Sequence, residues 1–383
     1  MATFEQLVHP GLAAGLRELK IVAPNSIQQN AIPLGLSGRD VLVCAQTGSG
    51  KTLTFLLPIL QRLDSSDQQA AVLAPTEQLA HQVASVARHL AKYLKRPIDV
   101  AEDGPGERKL FVGTPDKLAR AELGHLTILA IDEADLLLCA GGLEAQRLAI
   151  EEVLQTLEPR AATGALQLYL AMAHLTEQRE EELLKRFPHV QQVGHVGVMV
   201  PTLRQCFHYF RGDKDAKLLF VLSEFEADDI LPPEGATMIF CACSGACERL
   251  KALLEVEKPA YQTLTLHEES PLETRGAVAQ CFREGNSRVL LTTDMAARGL
   301  DFPRLRHVVL FDPPQDATAF VHSAGRTARR GQEGLVTCLV EASQATKCHF
   351  DGKIVHALKD GPQLTFVQPI DSDRPRQKGN NRR

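Results

Sequence analysis

No apolar run in this sequence of 383 residues approaches the roughly 18 residues that a membrane-spanning helix requires. The amino terminus, Met-Ala-Thr-Phe-Glu-Gln, contains neither a basic segment nor an apolar core, so no secretory signal is visible. An excess of positive charge is also lacking, since the net charge is −5 and the isoelectric point is near 6.2. We therefore expect an intracellular protein (nucleus, nucleolus or cytoplasm) that binds nucleic acid, if at all, through a local groove.

The cysteines lack the paired spacing of a zinc site. There are nine of them, an odd and scattered set that predicts reduced thiols. Cys241, Cys243 and Cys247 form a C-x-C-x₃-C pattern, but no second cysteine pair or histidine pair accompanies it. We expect small buried cysteines here and no structural zinc. The last ten residues do carry five positive charges, which predicts a disordered basic tail that either aids solubility or contacts RNA.

One stretch organises the chain, because it joins an apolar run to a helical one through a glycine-rich turn. Asp40–Cys44 predicts a buried parallel strand, and Leu53–Leu57 predicts the first turns of a helix. In such a turn successive backbone N–H groups point at phosphates, and the helix dipole adds to the attraction. Lys51 is expected to reach the β- and γ-phosphates, and the Thr52 hydroxyl to ligate Mg²⁺. The loop predicted to bind a nucleotide triphosphate consists of Ala45, Gln46, Thr47, Gly48, Ser49, Gly50, Lys51 and Thr52.

Apolar runs alternate with helical patterns before and after this loop. This alternation is typical of α/β proteins, in which helices flank a parallel sheet. The alternation pauses near Gly194 and then restarts, so we predict two α/β domains. The predicted boundaries are 1–193 for the first domain, 194–204 for a short linker, 205–349 for the second domain and 350–383 for a carboxyl-terminal extension.

Two charged motifs complete the predicted catalytic set. Asp132 and Glu133 directly follow an apolar strand, so Asp132 is expected to hold Mg²⁺, mostly through water, and Glu133 to deprotonate the attacking water. In Gly325–Gly331, Arg326 and Arg329 are spaced by three, which on a helix projects both from one face. They are candidates for the positive charge that a transferred phosphoryl group needs, although such a helix alone is usually a solvated face.

In this order the motifs resemble those of the DEAD-box family of ATP-dependent RNA helicases, over about residues 4–345. Asp132–Asp135 spells the family's name, Thr293–Asp301 matches the motif that joins RNA to ATP contacts, and His322–Arg329 matches the arginine-finger motif. The resemblance implies two RecA-like domains that close around ATP and RNA. It also implies recognition of the RNA backbone and not of base sequence.

The resemblance assigns further site residues. Gln28 would read the adenine, and Asp301 would face the ribose. Asp312–Pro314 and Ala319–His322 are similar to members that act in ribosome assembly. The residues assigned to RNA are Thr76, Gly113, Thr114, Arg275, Thr293, Arg298 and Gly299.

The chain departs from the family pattern at several positions. Ala171-Met172-Ala173 replaces Ser-Ala-Thr, which removes two hydroxyls and predicts weaker coupling of hydrolysis to strand separation. Lys20 and Ile21 replace a glycine and an aromatic residue near the adenine, and Glu77 places a negative charge near the expected RNA path. Ser323 also replaces an arginine and Leu272 a polar residue, and the segment at about 99–109 is shorter than in the family and lacks a recognisable Gly-Gly pair.

Three functions are compatible with these motifs. The first is an RNA-stimulated ATPase and helicase that remodels RNA or ribonucleoprotein, with pre-ribosomal particles among its candidate partners. The second is a degenerate member that acts as an ATP-gated RNA clamp or scaffold, which the altered 171–173 segment and Glu77 favour. The third, a DNA motor, is disfavoured because the motifs at 132–135 and 293–301 are those of RNA helicases.

Overall fold

The computed structural model describes residues 2–45, 48–104, 109–138, 144–173, 177–194, 202–227, 235–297, 300–314, 317–329, 331–341 and 364–367. The chain divides into two units, the first formed by residues 1–199 and 297–301 and the second by residues 200–296 and 302–383. Each unit has its own seven-stranded sheet, and every strand pairing in the described residues is parallel. This confirms the predicted α/β class with two sheets.

The first unit alternates strands and helices. Its helices are α1 (Phe4–Leu7), α2 (Pro10–Glu18), α3 (Ser26–Leu36), α4 (Lys51–Ser65), α5 (Glu77–Ala91), α6 (Pro115–Leu118), α7 (Ala134–Leu138), α8 (Glu144–Ala162) and α9 (Glu177–Arg186). Its strands are β1 (Val41–Cys44), β2 (Gln69–Leu73), β3 (Val100–Ala101), β4 (Leu110–Gly113), β5 (Leu126–Ile131), β6 (Gln167–Met172) and β7 (Gln191–Val193). The strand order is β3-β4-β2-β5-β6-β1-β7.

Strand β1, next to the edge strand β7, is covered on both faces of the sheet. Its four residues are all buried, and they pair with β6 on one side and β7 on the other. Val41 and Val43 contribute to the apolar cluster that includes α3 and α4, whereas Leu42 and Cys44 belong to the cluster that includes α8. A strand with both faces covered by helices is typical of parallel sheets.

The second unit repeats the architecture. Its helices are α10 (Lys214–Glu226), α11 (Ser244–Glu257), α12 (Leu272–Glu284), α13 (Asp294–Ala297) and α14 (Ala317–Ala324), with a 3₁₀ turn at Pro259–Tyr261. Its strands are β8 (Leu203–Phe210), β9 (Ala236–Phe240), β10 (Leu264–Leu266), β11 (Val289–Thr292), β12 (Leu305–Leu310), β13 (Gly334–Glu341) and β14 (Leu364–Val367). The strand order is β10-β11-β9-β12-β13-β8-β14.

Some elements differ from the sequence prediction. Strand β8 begins inside the predicted linker, and β14, from the predicted carboxyl-terminal extension, adds a strand beside β8. Helix α14 ends at Ala324, so the prediction that Arg326 and Arg329 lie on one helix is wrong. The backbone of Ala328 has a positive φ of 54°, which a right-handed helix does not allow. The predicted basic tail lies outside the described residues. Within the described ranges no helix is long and apolar enough to cross a membrane.

Candidate nucleotide and RNA site

The predicted first-domain motifs lie at one edge of the first sheet, because parallel strands end at the same edge. The Ala45 N–H donates to Met172 O at 3.1 Å, at the ends of β1 and β6. The Asp132 N–H donates to Leu73 O at 2.8 Å, which joins the end of β5 to the end of β2. This carboxyl edge is where open α/β sheets bind their ligands.

The phosphate loop is closed by a glycine in a left-handed conformation. Gly50 has a φ of 80° and is the N-cap of α4, which begins at Lys51. The Lys51 ammonium is buried and donates to Ala45 O at 2.6 Å, so it lies across the mouth of the loop. The ammonium is held by a neutral carbonyl, which an anionic phosphate would replace with a stronger, charge-assisted bond. Gln46 and Thr47 lie outside the described residues.

Helix α3 braces this loop through Asn25 and Gln28. The buried Gln28 amide donates to Gly50 O at 3.1 Å, and Asn25 Nδ2 donates to Ser49 O at 2.6 Å. The two side chains also form a capping box at the start of α3. Sequence reasoning assigned Gln28 to adenine and overlooked Asn25, although an Asn followed three residues later by Gln is the signature of such a box.

Asp132 and Glu133 form a buried acidic pair beside Lys51. Asp132 Oδ2 accepts from Thr52 Oγ1 at 3.3 Å, and Asp132 Oδ1 accepts from the Glu133 N–H at 3.0 Å. Burial, together with the neighbouring charge of Glu133, raises the pKa of Asp132 to about 6, and Lys51 opposes this shift. Glu133 is in a left-handed conformation with a φ of 46°.

The oxygen atoms of Asp132, Glu133 and Thr52 fit a magnesium ion. Carboxylate and hydroxyl oxygens are the ligands that Mg²⁺ prefers, and Asp132 and Thr52 bring one of each together. Glu133 Oε2 is buried and has no hydrogen-bond partner in the described part of the chain, although buried carboxylates are normally bonded. A cation with its shell of water would satisfy both the unbonded oxygen and the uncompensated charge.

Ala171 and Met172 end β6, and Ala173 follows the strand next to the acidic motif. Asp135, buried like its neighbours, accepts from the Ala173 N–H at 3.1 Å. The link between these two motifs therefore runs through a backbone amide, which the loss of both hydroxyls does not remove.

The predicted RNA contacts of the first unit lie at the same edge. Thr76 caps α5 by accepting from the Leu79 N–H, and Thr114 is a buried residue at the start of α6. Lys117, which sequence reasoning overlooked, forms an ion pair with Glu77 at 2.9 Å. The negative charge predicted at Glu77 is therefore already matched by a cation of the chain. Gly113 ends β4, and an added Cβ there would collide with the Phe111 ring.

The predicted RNA contacts of the second unit are also bonded within the chain. Thr293 follows β11, and its hydroxyl donates to Glu268 Oε1 at 2.7 Å. Arg275 Nε donates to Ser270 O at 3.0 Å, and the same guanidinium bonds to Glu268 O. Arg298 and Gly299 lie outside the described residues.

The arginine motif lies in the turn between α14 and β13. Arg326 is buried, and Arg329 Nε donates to Gly325 O at 2.8 Å. Thr327 Oγ1 anchors the turn by donating to Leu305 O at 3.0 Å. Ser323, which replaces an arginine of the family pattern, donates to Asp294 Oδ1 at 3.3 Å. Asp301 is partly buried.

The cysteine pattern at the end of β9 shows no metal-binding geometry. Cys241 and Cys247 are buried, whereas Cys243 is exposed. Among the described residues no group of three or more His, Cys, Asp or Glu side chains could hold a metal ion.

Comparison with known proteins identifies the family. The DEAD/DEAH box helicase model matches residues 25–173, and the helicase conserved C-terminal domain model matches residues 224–331. ATP-dependent RNA helicase FAL1 of Lodderomyces elongisporus is 30% identical over 363 residues, which cover 89% of this chain and 87% of that protein. The chain belongs to the DEAD-box family of ATP-dependent RNA helicases. The resemblance drawn from the motifs is confirmed, and membership implies nucleotide binding.

Other DEAD-box proteins extend the comparison. Probable ATP-dependent RNA helicase ddx42 of Dictyostelium discoideum is 30% identical over 383 residues, covering 94% of this chain but 37% of its own length. The chain therefore spans little more than a third of that relative. The structure of S. cerevisiae Dbp5 bound to RNA and ADP BeF3 is 26% identical, with a TM-score of 0.79 and 96% of both chains covered. The RecA-like character of the fold is confirmed by this likeness.

Proposed function

We propose that this chain is an RNA-stimulated ATPase that remodels RNA or ribonucleoprotein. One observation carries the proposal: Lys51, Thr52, Asp132 and Glu133 converge at the carboxyl edge of the first sheet, around a glycine-rich loop. This set contains a cation for phosphates, two oxygen ligands for a metal and a base for water. A protein that only binds nucleotide does not need the base.

Each of these residues would have a defined part in hydrolysis. Lys51 would leave the Ala45 carbonyl for the phosphates, and Asp132 with Thr52 would hold the magnesium ion. When bound, the ion would neutralise charge that develops on the phosphates during transfer. Glu133 would orient the attacking water and take its proton, through the carboxylate oxygen that has no bond within the described chain.

RNA as the second ligand is supported by the similar structure of S. cerevisiae Dbp5, which is bound to RNA and ADP BeF3. The hydroxyls of Thr76, Thr114 and Thr293 and the guanidinium of Arg275 suit contacts to phosphates and sugars, which carry no base information. Arg326 and Arg329 would serve as arginine fingers, and Gln28 and Asp301 would contact adenine and ribose. We place this activity inside the cell, in the cytoplasm or nucleus, where RNA substrates occur.

The proposal has a finer part, the biological process, and an alternative, the ATP-gated clamp. A role in ribosome assembly is supported by the likeness of Asp312–Pro314 and Ala319–His322 to family members with that role. An ATP-gated clamp is the second candidate, and the alanines at 171 and 173 favour it. The buried acidic pair favours turnover, and the Ala173 N–H still ties the segment after β6 to Asp135 of the acidic motif.

The deciding experiment measures ATP hydrolysis by the purified protein with and without a generic single-stranded RNA. Glu133→Gln serves as the matched control, because it keeps the size of the side chain and removes the base, and Lys51→Ala tests the loop. We expect RNA to stimulate turnover, Glu133→Gln to abolish turnover while retaining ATP, and Lys51→Ala to lose ATP binding. If the protein does not hydrolyse ATP but binds RNA in the presence of a non-hydrolysable ATP analogue, the ATPase proposal is wrong and the ATP-gated clamp takes its place.

A further inference from the structure

Glu268 lies where the second unit is expected to meet RNA. It follows β10 and is exposed, yet its carboxylate accepts from the Thr293 hydroxyl at 2.7 Å. Thr293 itself is buried, with 4% of its surface exposed. The bond joins two residues that are 25 positions apart, so it fixes the loop after β10 against the end of β11.

The loop that carries Glu268 is held in place by its own contacts. The Ser270 hydroxyl accepts from the His267 N–H at 3.1 Å, and the Ser270 N–H donates to His267 O at 3.0 Å. Arg275, from α12, spans the loop by bonding to the carbonyls of Ser270 and Glu268. The Glu268 carboxylate is therefore presented to Thr293 by a closed turn.

This bond sets Glu268 in competition with RNA. A hydroxyl has one hydrogen to donate, and the hydroxyl of Thr293 is committed to a carboxylate. A phosphate oxygen of RNA would need the same donor, and it carries the same sign of charge as the group that it must displace. Glu269 and Glu273, both exposed, add negative charge beside the position.

We propose that Glu268 is a specificity-determining residue that lowers the affinity of this protein for RNA by occupying the Thr293 hydroxyl. The proposal rests on the RNA-stimulated ATPase proposed above and refines its RNA site. It has two consequences. Glu268 raises the RNA concentration needed for half-maximal ATPase stimulation and leaves maximal turnover unchanged. It also makes the protein favour RNAs that offer enough other contacts to displace the carboxylate.

The test compares Glu268→Gln and Glu268→Ala with wild type. We measure ATPase stimulation against RNA concentration, and binding of labelled RNA in the presence of a non-hydrolysable ATP analogue. Both variants should lower the RNA concentration needed for half-maximal stimulation by about three- to tenfold, with maximal turnover unchanged. Glu269→Gln is the matched control, since it removes an adjacent exposed charge, and it should change the RNA concentration much less.

A double-mutant cycle with Thr293→Val isolates the hydroxyl. If Glu268 acts through Thr293, the gain from Glu268→Ala, which removes the acceptor of the Thr293 hydroxyl, disappears in the Thr293→Val background. The inference is overturned if neither Glu268 variant, each with a thermal midpoint like that of wild type, tightens RNA binding, or if Glu269→Gln tightens it equally. Either result would overturn the inference about Glu268 alone, because RNA would still stimulate ATP hydrolysis by the wild-type protein. Absence of stimulation in every protein, with ATP hydrolysis present, would instead overturn the RNA site and the inference together.

Discussion

The phosphate loop and the predicted RNA contacts differ in what their donors are bonded to. At the loop, the Lys51 ammonium is bonded to the neutral carbonyl of Ala45. On the RNA side, Lys117 is paired with the carboxylate of Glu77, and the Thr293 hydroxyl is bonded to the carboxylate of Glu268. Both regions offer donors for phosphate. Lys51 donates to a carbonyl although it lies beside the buried Asp132–Glu133 pair, whereas Lys117 and Thr293 are bonded directly to carboxylates.

This difference has an energetic meaning. A phosphate that replaces a neutral carbonyl gains a charge-assisted bond, whereas a phosphate that replaces a carboxylate exchanges one anion for another. The nucleotide should therefore bind without help, and RNA should bind weakly until several contacts are made together.

Arg329→Ala tests whether the second unit also serves the nucleotide side. We expect hydrolysis to fall by roughly 10³- to 10⁵-fold, because under the proposed function Arg329 would supply charge that stabilises the transferred phosphoryl group. ATP binding should be nearly unchanged, since the loop of the first unit supplies most of it. Single-turnover hydrolysis and ATP titration measure the two separately. Arg283→Ala, an exposed arginine of the same unit, is the control. Unchanged hydrolysis in Arg329→Ala would exclude the arginine from the site.

Sequence alone predicted the nucleotide side better than the RNA side, and the reason is locality. Strand, turn and helix around Gly50 lie within one stretch, so the apolar pattern and the glycines were enough to predict them. The bond from Thr293 to Glu268 depends on how two loops meet, which no local pattern encodes. The arginine spacing suggested a continuous helix, because the left-handed backbone of Ala328 leaves no trace in residue types. The pairing of Lys117 with Glu77 likewise needed the fold.

Gly50→Ala tests whether ATP binding needs the left-handed backbone of Gly50 and its close contact with Gln28. The φ of 80° strains any residue with a Cβ, and that Cβ would lie 2.5 Å from Gln28 Nε2. A combined cost of about 1–3 kcal/mol predicts a loss of ATP affinity of about five- to 150-fold. Gly38→Ala is a matched control, with the same φ of 80° but a nearest contact at an ordinary 3.7 Å. It should reduce stability and spare ATP binding. Equal ATP affinity in the two variants would contradict the brace by Gln28.

Glu77→Gln tests the contrast in the first unit. Removing the carboxylate releases Lys117 for phosphate, so we expect RNA binding to tighten by about two- to fivefold, the scale of an exposed ion pair. ATP affinity without RNA should not change. The control is Glu181→Gln, which breaks the ion pair of Glu181 with Lys185 on α9, away from the predicted RNA contacts. Weaker RNA binding in Glu77→Gln would show that the carboxylate positions Lys117 and does not compete with RNA.

Lys20→Gly gives the smallest effect and tests the departures near the adenine. Lys20 is exposed at the end of α2, with a φ of 60° that costs a side-chain-bearing residue about 1–2 kcal/mol. Glycine removes this strain but increases the entropy of the unfolded chain, by about 0.4–1 kcal/mol. The net expectation is a stabilisation of about 0.5–1 kcal/mol, or roughly 1–4 °C in the melting temperature of the first unit.

The control for this variant is Lys20→Ala, which keeps the demand for positive φ and should bring no gain in stability. ATP affinity should be equal in wild type and both variants, because the backbone bonds from Lys20 N to Arg17 O and from Ile21 N to Leu16 O hold the turn whatever the side chain. Thermal unfolding measures the expected gain in stability, and ATP titration measures whether the ATP affinity stays the same. A change in ATP affinity without a change in melting temperature would mean that this departure alters the nucleotide site, so that the contrast with the RNA side would no longer hold.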